Sequence, residues 1–172
     1  MAACYIHMDQ GLVIDLRNDT LCSGRFSSCA PIVLYNAVSH LAGLSHLGGC
    51  DALDEPKITH LNVLATVVRP TVVHVLAGAG EYRLQTFTFA PIHGHVGIVS
   101  ALFAPPIVVH HNFNGISDYS SITVSEIGGA LNIAPDNPLA MTALRTAATI
   151  NGRGHHFGFI GEKHDDKLSL WL

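Results

Sequence analysis

Short apolar runs separated by glycine, proline and polar residues dominate the first part of the chain. One run covers residues 31–35 and the next covers residues 41–47, with a polar segment at 36–40 between them. Apolar runs of this length, bounded by turn-forming residues, are typical of buried strands. The pattern therefore predicts a β-hairpin whose two outer ends, near residues 30 and 47, lie side by side.

The rest of the chain mixes helical and strand-like patterns. Apolar residues recur at helical spacing between residues 56 and 67, after Asp54 as a candidate N-cap and before Pro70, which predicts a helix. Two further helices are expected, at residues 92–103 and 138–149. Other strands are expected at residues 71–76, 81–89, 107–111, 121–129 and 168–172, with a loop rich in Asn, Asp and Pro after residue 129. The predicted fold class is α+β, a single-domain layered sandwich with a strand-rich core and two or three helices.

Length and composition favour one folded domain. The chain has 172 residues, of which 48% are hydrophobic and 13% are charged. Such a chain can bury a core of its own, and its composition argues against disorder. The formal net charge is −4, and no cluster of lysine or arginine provides the basic face that nucleic acid requires. We therefore expect no nucleic-acid partner.

The apolar segments also bear on cellular location. None reaches the roughly 18 residues of a membrane-spanning helix before His, Gly or Pro interrupts it. Residues 1–9 lack the basic region and apolar core of a signal peptide. We therefore expect no membrane insertion and a cytoplasmic location, although secretion without a cleaved signal would leave the same sequence.

A cysteine and a histidine lie at the two outer ends of the predicted hairpin. Cys29 follows a turn of small residues, and His46 lies near the end of the return strand. A free thiol has a pKa of about 8.5, and a neighbouring imidazole can lower that pKa and later protonate a leaving amine. The pair predicts a thiol-based acyl-transfer site with Cys29 as nucleophile and His46 as base. No metal or organic cofactor is needed.

Other interpretations of these residues remain open. Cys50 is a rival nucleophile because His60 follows it, although no hairpin would bring that histidine back to it. A cysteine beside an apolar strand is also often a small buried hydrophobe, which would make the chain a binding domain with a structural Cys29. The four cysteines fit no paired zinc template, so free thiols are expected. Adjacent histidines such as His110 and His111 point to opposite faces of a strand, which disfavours a metal site.

The segment from Thr20 to Gly49 resembles the CheD family of chemoreceptor glutamine deamidases. Matching features are a hydroxyl residue at Ser23, a Gly-containing turn, Ser-Cys at Cys29, an apolar strand ending in Leu-Tyr-Asn, and Gly-Leu-x-His ending at His46. Weaker similarities occur at residues 72–80 and 151–159. Two differences are a Ser where the family usually has Thr, and Arg-Phe-Ser-Ser in place of Gly-Leu-Gly-Ser before the cysteine.

The resemblance implies a single CheD-like deamidase domain over residues 1–172, with a fold shared by bacterial deamidating toxins. Cys29 would be the nucleophile, His46 the base, and Ser23 the third member, which orients the histidine. The implied reaction is deamidation of glutamine on a protein substrate through a thioester. That substrate would be a chemoreceptor in chemotaxis, or a host regulatory protein for a toxin or effector. A related thiol protease or transglutaminase would use the same pair.

Residues next to the cysteine complete the expected site. Backbone N–H groups of Ser28 and Cys29 are expected to hold the developing oxyanion, because small residues there allow close approach. Arg25 and Phe26, if exposed, are candidate substrate-binding residues because they precede the nucleophile.

Overall fold

The computed structural model describes residues 2–24, 26, 29–47, 55–76, 99, 101–103, 105–112, 121–135 and 155–157. Within these ranges the chain forms ten strands and one helix. The strands are β1 (Ala2–Ile6), β2 (Gly11–Asp15), β3 (Asp19–Gly24), β4 (Ala30–Tyr35), β5 (Leu41–Leu47), β6 (Val72–Leu76), β7 (Val108–Asn112), β8 (Ser121–Ile127), β9 (Ala130–Pro135) and β10 (His155–Phe157). The helix is α1 (Glu55–Val68).

The strands form two mixed sheets. The smaller sheet has the order β1-β3-β8-β9, and the larger has the order β10-β2-β5-β4-β6-β7. In the smaller sheet β1 and β3 are parallel, and in the larger sheet β6 and β7 are parallel. The other neighbouring strands are antiparallel. The described part of the chain is therefore strand-rich, as expected for an α+β protein with a strand-rich core.

The larger sheet is buried on both faces at its central strand β4. Along β4, Val33 and Tyr35 join the core shared with the smaller sheet, whereas Ile32 and Leu34 join the core shared with α1. This alternation follows from the two-residue period of a strand. A strand buried on both faces reads as a continuous apolar run, which is why β4 is recognisable in the sequence. The layers are thus the smaller sheet, the larger sheet and the helix.

The predicted hairpin is confirmed as β4 and β5. Its register pairs Ala30 with Leu47 at the open end and Tyr35 with Ala42 near the turn. The side-chain oxygen of Asn36 closes the turn by accepting hydrogen bonds from the N–H groups of Val38 at 2.9 Å and Ser39 at 3.1 Å. The outer ends of the hairpin therefore lie together.

The predicted helix at residues 56–67 is also confirmed, as α1. Its buried residues recur at helical spacing and include Leu61, Leu64 and Val68, which pack on the larger sheet. The helix ends at Val68, and the next residue, Arg69, has a φ of 50° and is followed by Pro70. Asp54, the expected N-cap, lies outside the described residues.

Other expected elements have different outcomes. Strands predicted at 71–76, 107–111 and 121–129 are confirmed as β6, β7 and β8. The expectation of a loop after residue 129 is wrong for residues 130–135, because they form β9. Gly128 and Gly129 have φ values of 60° and 81°, so they make a two-residue turn that returns the chain as a hairpin.

The predictions for 81–89, 138–149 and 168–172 lie outside the described residues. Most of 92–103 does too, although its end contains a helical turn in which the Phe103 N–H donates to the Val99 carbonyl at 2.9 Å. One of the two or three expected helices is therefore described in full. Among the described residues, no helix is long and apolar enough to cross a membrane.

Candidate active site

Ser23 and His46 face each other across the gap between the two sheets. Ser23 is the second-last residue of β3, and His46 is the second-last residue of β5. His46 lies on the same strand face as Ala42 and Leu44, and Ser23 on the same face as Leu21, and all three of these apolar residues belong to the inter-sheet core. The polar pair therefore lies at one end of an otherwise apolar interface.

The hydrogen bonds of Ser23 determine the tautomer of His46. Ser23 Oγ lies 2.8 Å from the carbonyl oxygen of Ile6 and 2.9 Å from His46 Nδ1. Because a carbonyl oxygen only accepts, the single hydroxyl hydrogen of Ser23 goes to Ile6. His46 Nδ1 must then donate to the hydroxyl oxygen. The neutral imidazole consequently carries its hydrogen on Nδ1 and a lone pair on Nε2.

The Nε2 atom of His46 is buried and has no hydrogen-bond partner among the described residues. Burial lowers the pKa of His46 to about 4, and the nearby charge of His7 contributes further. The ring is therefore neutral at physiological pH. A buried polar atom without a partner costs about 1–3 kcal/mol, and a catalytic role is one explanation for such an atom. The arrangement leaves Nε2 as the basic nitrogen of the ring.

Cys29 lies at the same end of the inter-sheet core. It immediately precedes β4 and is 5% exposed. It belongs to the same apolar cluster as Val33 and Tyr35, which point toward the smaller sheet. Two residues further along the chain, Pro31 is the cross-strand neighbour of His46. The hairpin thus brings Cys29 and His46 to one face of the larger sheet, at its open end.

Phe26 has a different place from the one expected. Its side chain is 3% exposed, and its ring centroid lies 4.4 Å from that of His46 at an interplanar angle of 60°. The exposure on which Phe26 depended as a candidate substrate contact is therefore absent, since burying this ring in the apolar interface is worth about 1.5–3 kcal/mol. The ring instead covers the imidazole. Arg25 and Ser28, the other expected substrate-binding and oxyanion residues, lie outside the described residues.

The turn between β1 and β2, residues 7–10, holds the backbone of His46 and was not expected from the sequence to belong to the site. The Asp9 N–H donates to the His46 carbonyl at 2.7 Å, and the His46 N–H donates to the Gln10 carbonyl at 3.0 Å. His7 is exposed, and its ring lies edge-on to that of Tyr5 at 5.2 Å. Polar residues between two short apolar runs were the available signal, but the sequence does not say which strand such a turn contacts.

The remaining cysteines do not form a rival site in the part of the chain that is described. No disulfide joins Cys4, Cys22 and Cys29, and burial raises the pKa of the Cys22 thiol to about 11. Cys50 lies outside the described residues. His60, its expected partner, packs from α1 onto Gly11, so it lies on the face of the larger sheet opposite His46.

Two other histidines lie on neighbouring strands of the larger sheet. His74 and His110 are cross-strand neighbours on β6 and β7, with rings stacked at 4.8 Å and 22°. Within the described ranges, no group of three or more His, Cys, Asp or Glu side chains is arranged to hold a metal ion.

A second polar link joins the sheets at the end far from Cys29. The Oε2 atom of Glu126 on β8 accepts hydrogen bonds from the Tyr35 hydroxyl at 2.9 Å and from His40 Nδ1 at 2.8 Å. The bond from His40 lowers the pKa of Glu126, while burial and the neighbouring carboxylate raise the pKa of Tyr35 to about 12. The two sheets are therefore tied by hydrogen bonds at both ends.

Comparison with known proteins adds no assignment to this geometry. No protein-family model matches the chain, and no curated protein matches it.

Proposed function

We propose that the chain is a cysteine-dependent amidohydrolase that deamidates glutamine side chains on a protein substrate, with Cys29 as nucleophile and His46 as base. One observation carries the proposal: a buried, neutral His46 presents an Nε2 atom that has no described partner, while Ser23 holds its Nδ1 hydrogen. A histidine held in a defined tautomer by a third group is the arrangement that activates a nucleophile.

The proposed reaction begins with proton transfer from the Cys29 thiol to His46 Nε2. The thiolate attacks the carboxamide carbon of glutamine, and His46 returns the proton as ammonia leaves, which produces a thioester. A water molecule then gives a proton to His46 and attacks the thioester, and His46 returns that proton to the Cys29 sulfur as the C–S bond breaks. The products are glutamate and the free thiol, so the net reaction consumes one water and releases one ammonia.

The low pKa of His46 bears on the protonation state of Cys29 and His46 before substrate binds. A buried site disfavours separated charges, so we expect a neutral thiol and a neutral imidazole before substrate binds. The thiolate and imidazolium then form as the attack proceeds. A neutral pair and an ion pair hold the same number of protons, so both give the same pH dependence of reactivity.

The CheD resemblance supports the same assignment and a CheD-like fold. The three positions that the resemblance singles out are Ser23 on β3, Cys29 just before β4 and His46 on β5, and they lie at the same end of the sandwich. We further propose a protein partner that carries a reactive glutamine, a cytoplasmic site of action and no nucleic-acid partner, consistent with the net charge of −4. Roles in chemotaxis or as a toxin or effector remain alternatives within this proposal.

A second candidate function is a binding domain without enzymatic activity. The observation that favours it is the burial of Cys29, which is 5% exposed, because a buried cysteine often serves only as a small apolar residue. In that case the Ser23–His46 hydrogen bond would be a structural link between sheets.

Ammonia release from casein tests the proposal. The wild type should release ammonia and convert glutamine to glutamate, whereas Cys29→Ser should lose that activity and His46→Ala should lose about 10²–10⁴-fold. Cys22→Ser is the matched control, because Cys22 is buried on β3 outside the site, and it should retain activity. Equal ammonia release by Cys29→Ser would refute the assignment of the nucleophile, and peptide cleavage in place of ammonia release would indicate a thiol protease.

A further inference from the structure

Gln10 closes the turn between β1 and β2 with its side chain. Its Oε1 atom accepts a hydrogen bond from the His7 N–H at 2.9 Å, and its own N–H donates to the His7 carbonyl at 3.2 Å. The side chain is buried, with Gln10 only 8% exposed. Between these two residues, Asp9 adopts a φ of 60°, in the left-handed region that a non-glycine residue seldom occupies. The turn therefore depends on local hydrogen bonds to keep its shape.

This turn fixes three atoms of the candidate active site. The Gln10 carbonyl accepts from the His46 N–H, and the Asp9 N–H donates to the His46 carbonyl, so both backbone groups of His46 are held. The carbonyl of Ile6, the residue directly before the turn, receives the hydroxyl hydrogen of Ser23. The same short segment therefore holds the position of His46 and, together with the pairing of Ile6 with Ser23 between β1 and β3, the direction in which Ser23 donates.

We propose that Gln10 is a positioning residue that keeps His46 in the tautomer with a free Nε2 lone pair. Its catalytic consequence rests on the deamidase function proposed above, whereas its effect on the histidine does not. Gln10 acts through the turn: it fixes His7, and thereby Ile6, whose carbonyl takes the Ser23 hydrogen. Ser23 is left with only its lone pairs to offer to His46.

Loss of the Gln10 oxygen should rearrange this chain of hydrogen bonds. The His7 N–H loses its acceptor, and a turn with Asp9 at positive φ relaxes toward ordinary backbone geometry. Once the Ile6 carbonyl moves away, the Ser23 hydroxyl can donate to His46 Nδ1 instead. The imidazole then carries its hydrogen on Nε2, and Nε2 can no longer accept the proton of Cys29. The expected signature is a switch of tautomer, which a purely structural role would not produce.

Nitrogen-15 NMR of the histidine side chains in the full-length protein tests the proposal. In the wild type, His46 should be protonated on Nδ1. In Gln10→Leu, a population protonated on Nε2 should appear, and kcat for ammonia release from benzyloxycarbonyl-glutaminyl-glycine should fall about 10- to 100-fold with little change in KM. Gln10→Glu keeps an oxygen acceptor and should restore the Nδ1 tautomer.

Asn36→Ala is the matched control, because Asn36 closes the β4–β5 turn at the other end of the sandwich in the same way. It should lower the melting temperature and leave the His46 tautomer unchanged. If Gln10→Leu behaves like Asn36→Ala, Gln10 is only a structural residue and the proposal is overturned. If Gln10→Leu does not fold, Gln10→Met, which has a similar length and no oxygen acceptor, takes its place, and an unchanged tautomer there overturns the proposal as well.

The test separates this inference from the proposed function. A tautomer switch in a chain that releases no ammonia would support the positioning role of Gln10 and refute the deamidase. Ammonia release with an unchanged tautomer in Gln10→Leu would do the reverse.

Discussion

The Nδ1 atom of His46, on the larger sheet, donates a hydrogen bond of 2.9 Å to the hydroxyl oxygen of Ser23, on the smaller sheet. This direction is set by a third group, the Ile6 carbonyl, which takes the hydroxyl hydrogen. The bond spans the two sheets at the end of the apolar interface where Cys29 also lies, and it leaves Nε2 as the basic nitrogen. The chemical role proposed for the chain depends on that direction.

Replacing Ser23 with alanine should damage both stability and activity. The change leaves His46 Nδ1 without its acceptor and the Ile6 carbonyl without its donor, which should reduce the free energy of unfolding by about 1–3 kcal/mol. Loss of orientation should lower kcat for ammonia release about 10- to 100-fold. Urea unfolding and steady-state kinetics measure the two effects.

Two variants control for the Ser23 result. Ser23→Thr keeps the hydroxyl and should retain most activity. Tyr35→Phe removes the hydroxyl that links the sheets at the opposite end, so it should lower the urea midpoint without lowering kcat. If Ser23→Ala and Tyr35→Phe affect kcat equally, the hydroxyl of Ser23 has no specific role in orienting His46.

Replacing His7 with glutamine should raise the pKa of His46. Burial is the main reason that this pKa lies near 4, and the charge of His7 is the second. Without a neighbouring cation, the protonated form of His46 costs less, so its titration should move to higher pH. An NMR titration of His46 measures the shift. His110→Gln is the control, because His110 lies on β7, three strands away from β5 in the larger sheet. A decrease in the pKa, or an equal increase in both variants, would contradict this electrostatic role.

The depressed pKa of His46 also predicts acid sensitivity of the fold. Between its ordinary value of 6.5 and about 4, the unfolded chain binds a proton that the folded chain does not, so stability rises with pH across this window and is lost as pH falls. The shift corresponds to roughly 3 kcal/mol, which is fully present above pH 6.5. Urea unfolding at several pH values measures how the free energy of unfolding changes with pH. This dependence on pH should become weaker in His46→Gln. An unchanged slope in that variant would show that other groups cause the loss.

Gly11 should resist enlargement because α1 packs directly onto it. A Cβ added there would lie 2.7 Å from His60 Nε2 and 2.8 Å from His60 Cε1. Gly11→Ala should therefore displace the helix and cost about 1–3 kcal/mol. The double variant Gly11→Ala with His60→Ala should recover much of that loss in urea unfolding. No recovery would mean that the cost arises elsewhere, for example in the turn that precedes Gly11.

The sequence predicts best the elements whose stability is local. The β4–β5 hairpin has two continuous apolar runs and an Asn36 turn, and α1 has regular helical spacing that ends at Pro70. β9 was not predicted because Asn- and Pro-rich segments usually form loops. The stronger signal was the glycine pair Gly128 and Gly129, whose positive φ values make the hairpin turn. The loop propensity of a segment therefore predicts its structure poorly when an adjacent turn pairs that segment with a neighbouring strand.

The site was predictable only in part. The hairpin explains why Cys29 and His46 lie at one end, but nothing local shows that Ser23 donates to Ile6, because that contact depends on the parallel pairing of β1 with β3. The support of His46 by Asp9 and the burial of Phe26 likewise follow from how the two sheets pack. Contacts between sheets are set by tertiary structure, and a linear pattern does not encode them.

The rate of iodoacetamide alkylation at Cys29 as a function of pH, compared between the wild type and His46→Ala, tests the central claim most directly. We predict that Cys29 reacts well below pH 8.5, the ordinary pKa of a thiol, and that it loses this advantage without His46. Cys22, whose pKa is raised to about 11, should remain slow in both proteins. If Cys29 reacts as slowly as Cys22 and His46 makes no difference, the thiol–imidazole pair does not exist, and the chain is a binding domain with a structural cysteine.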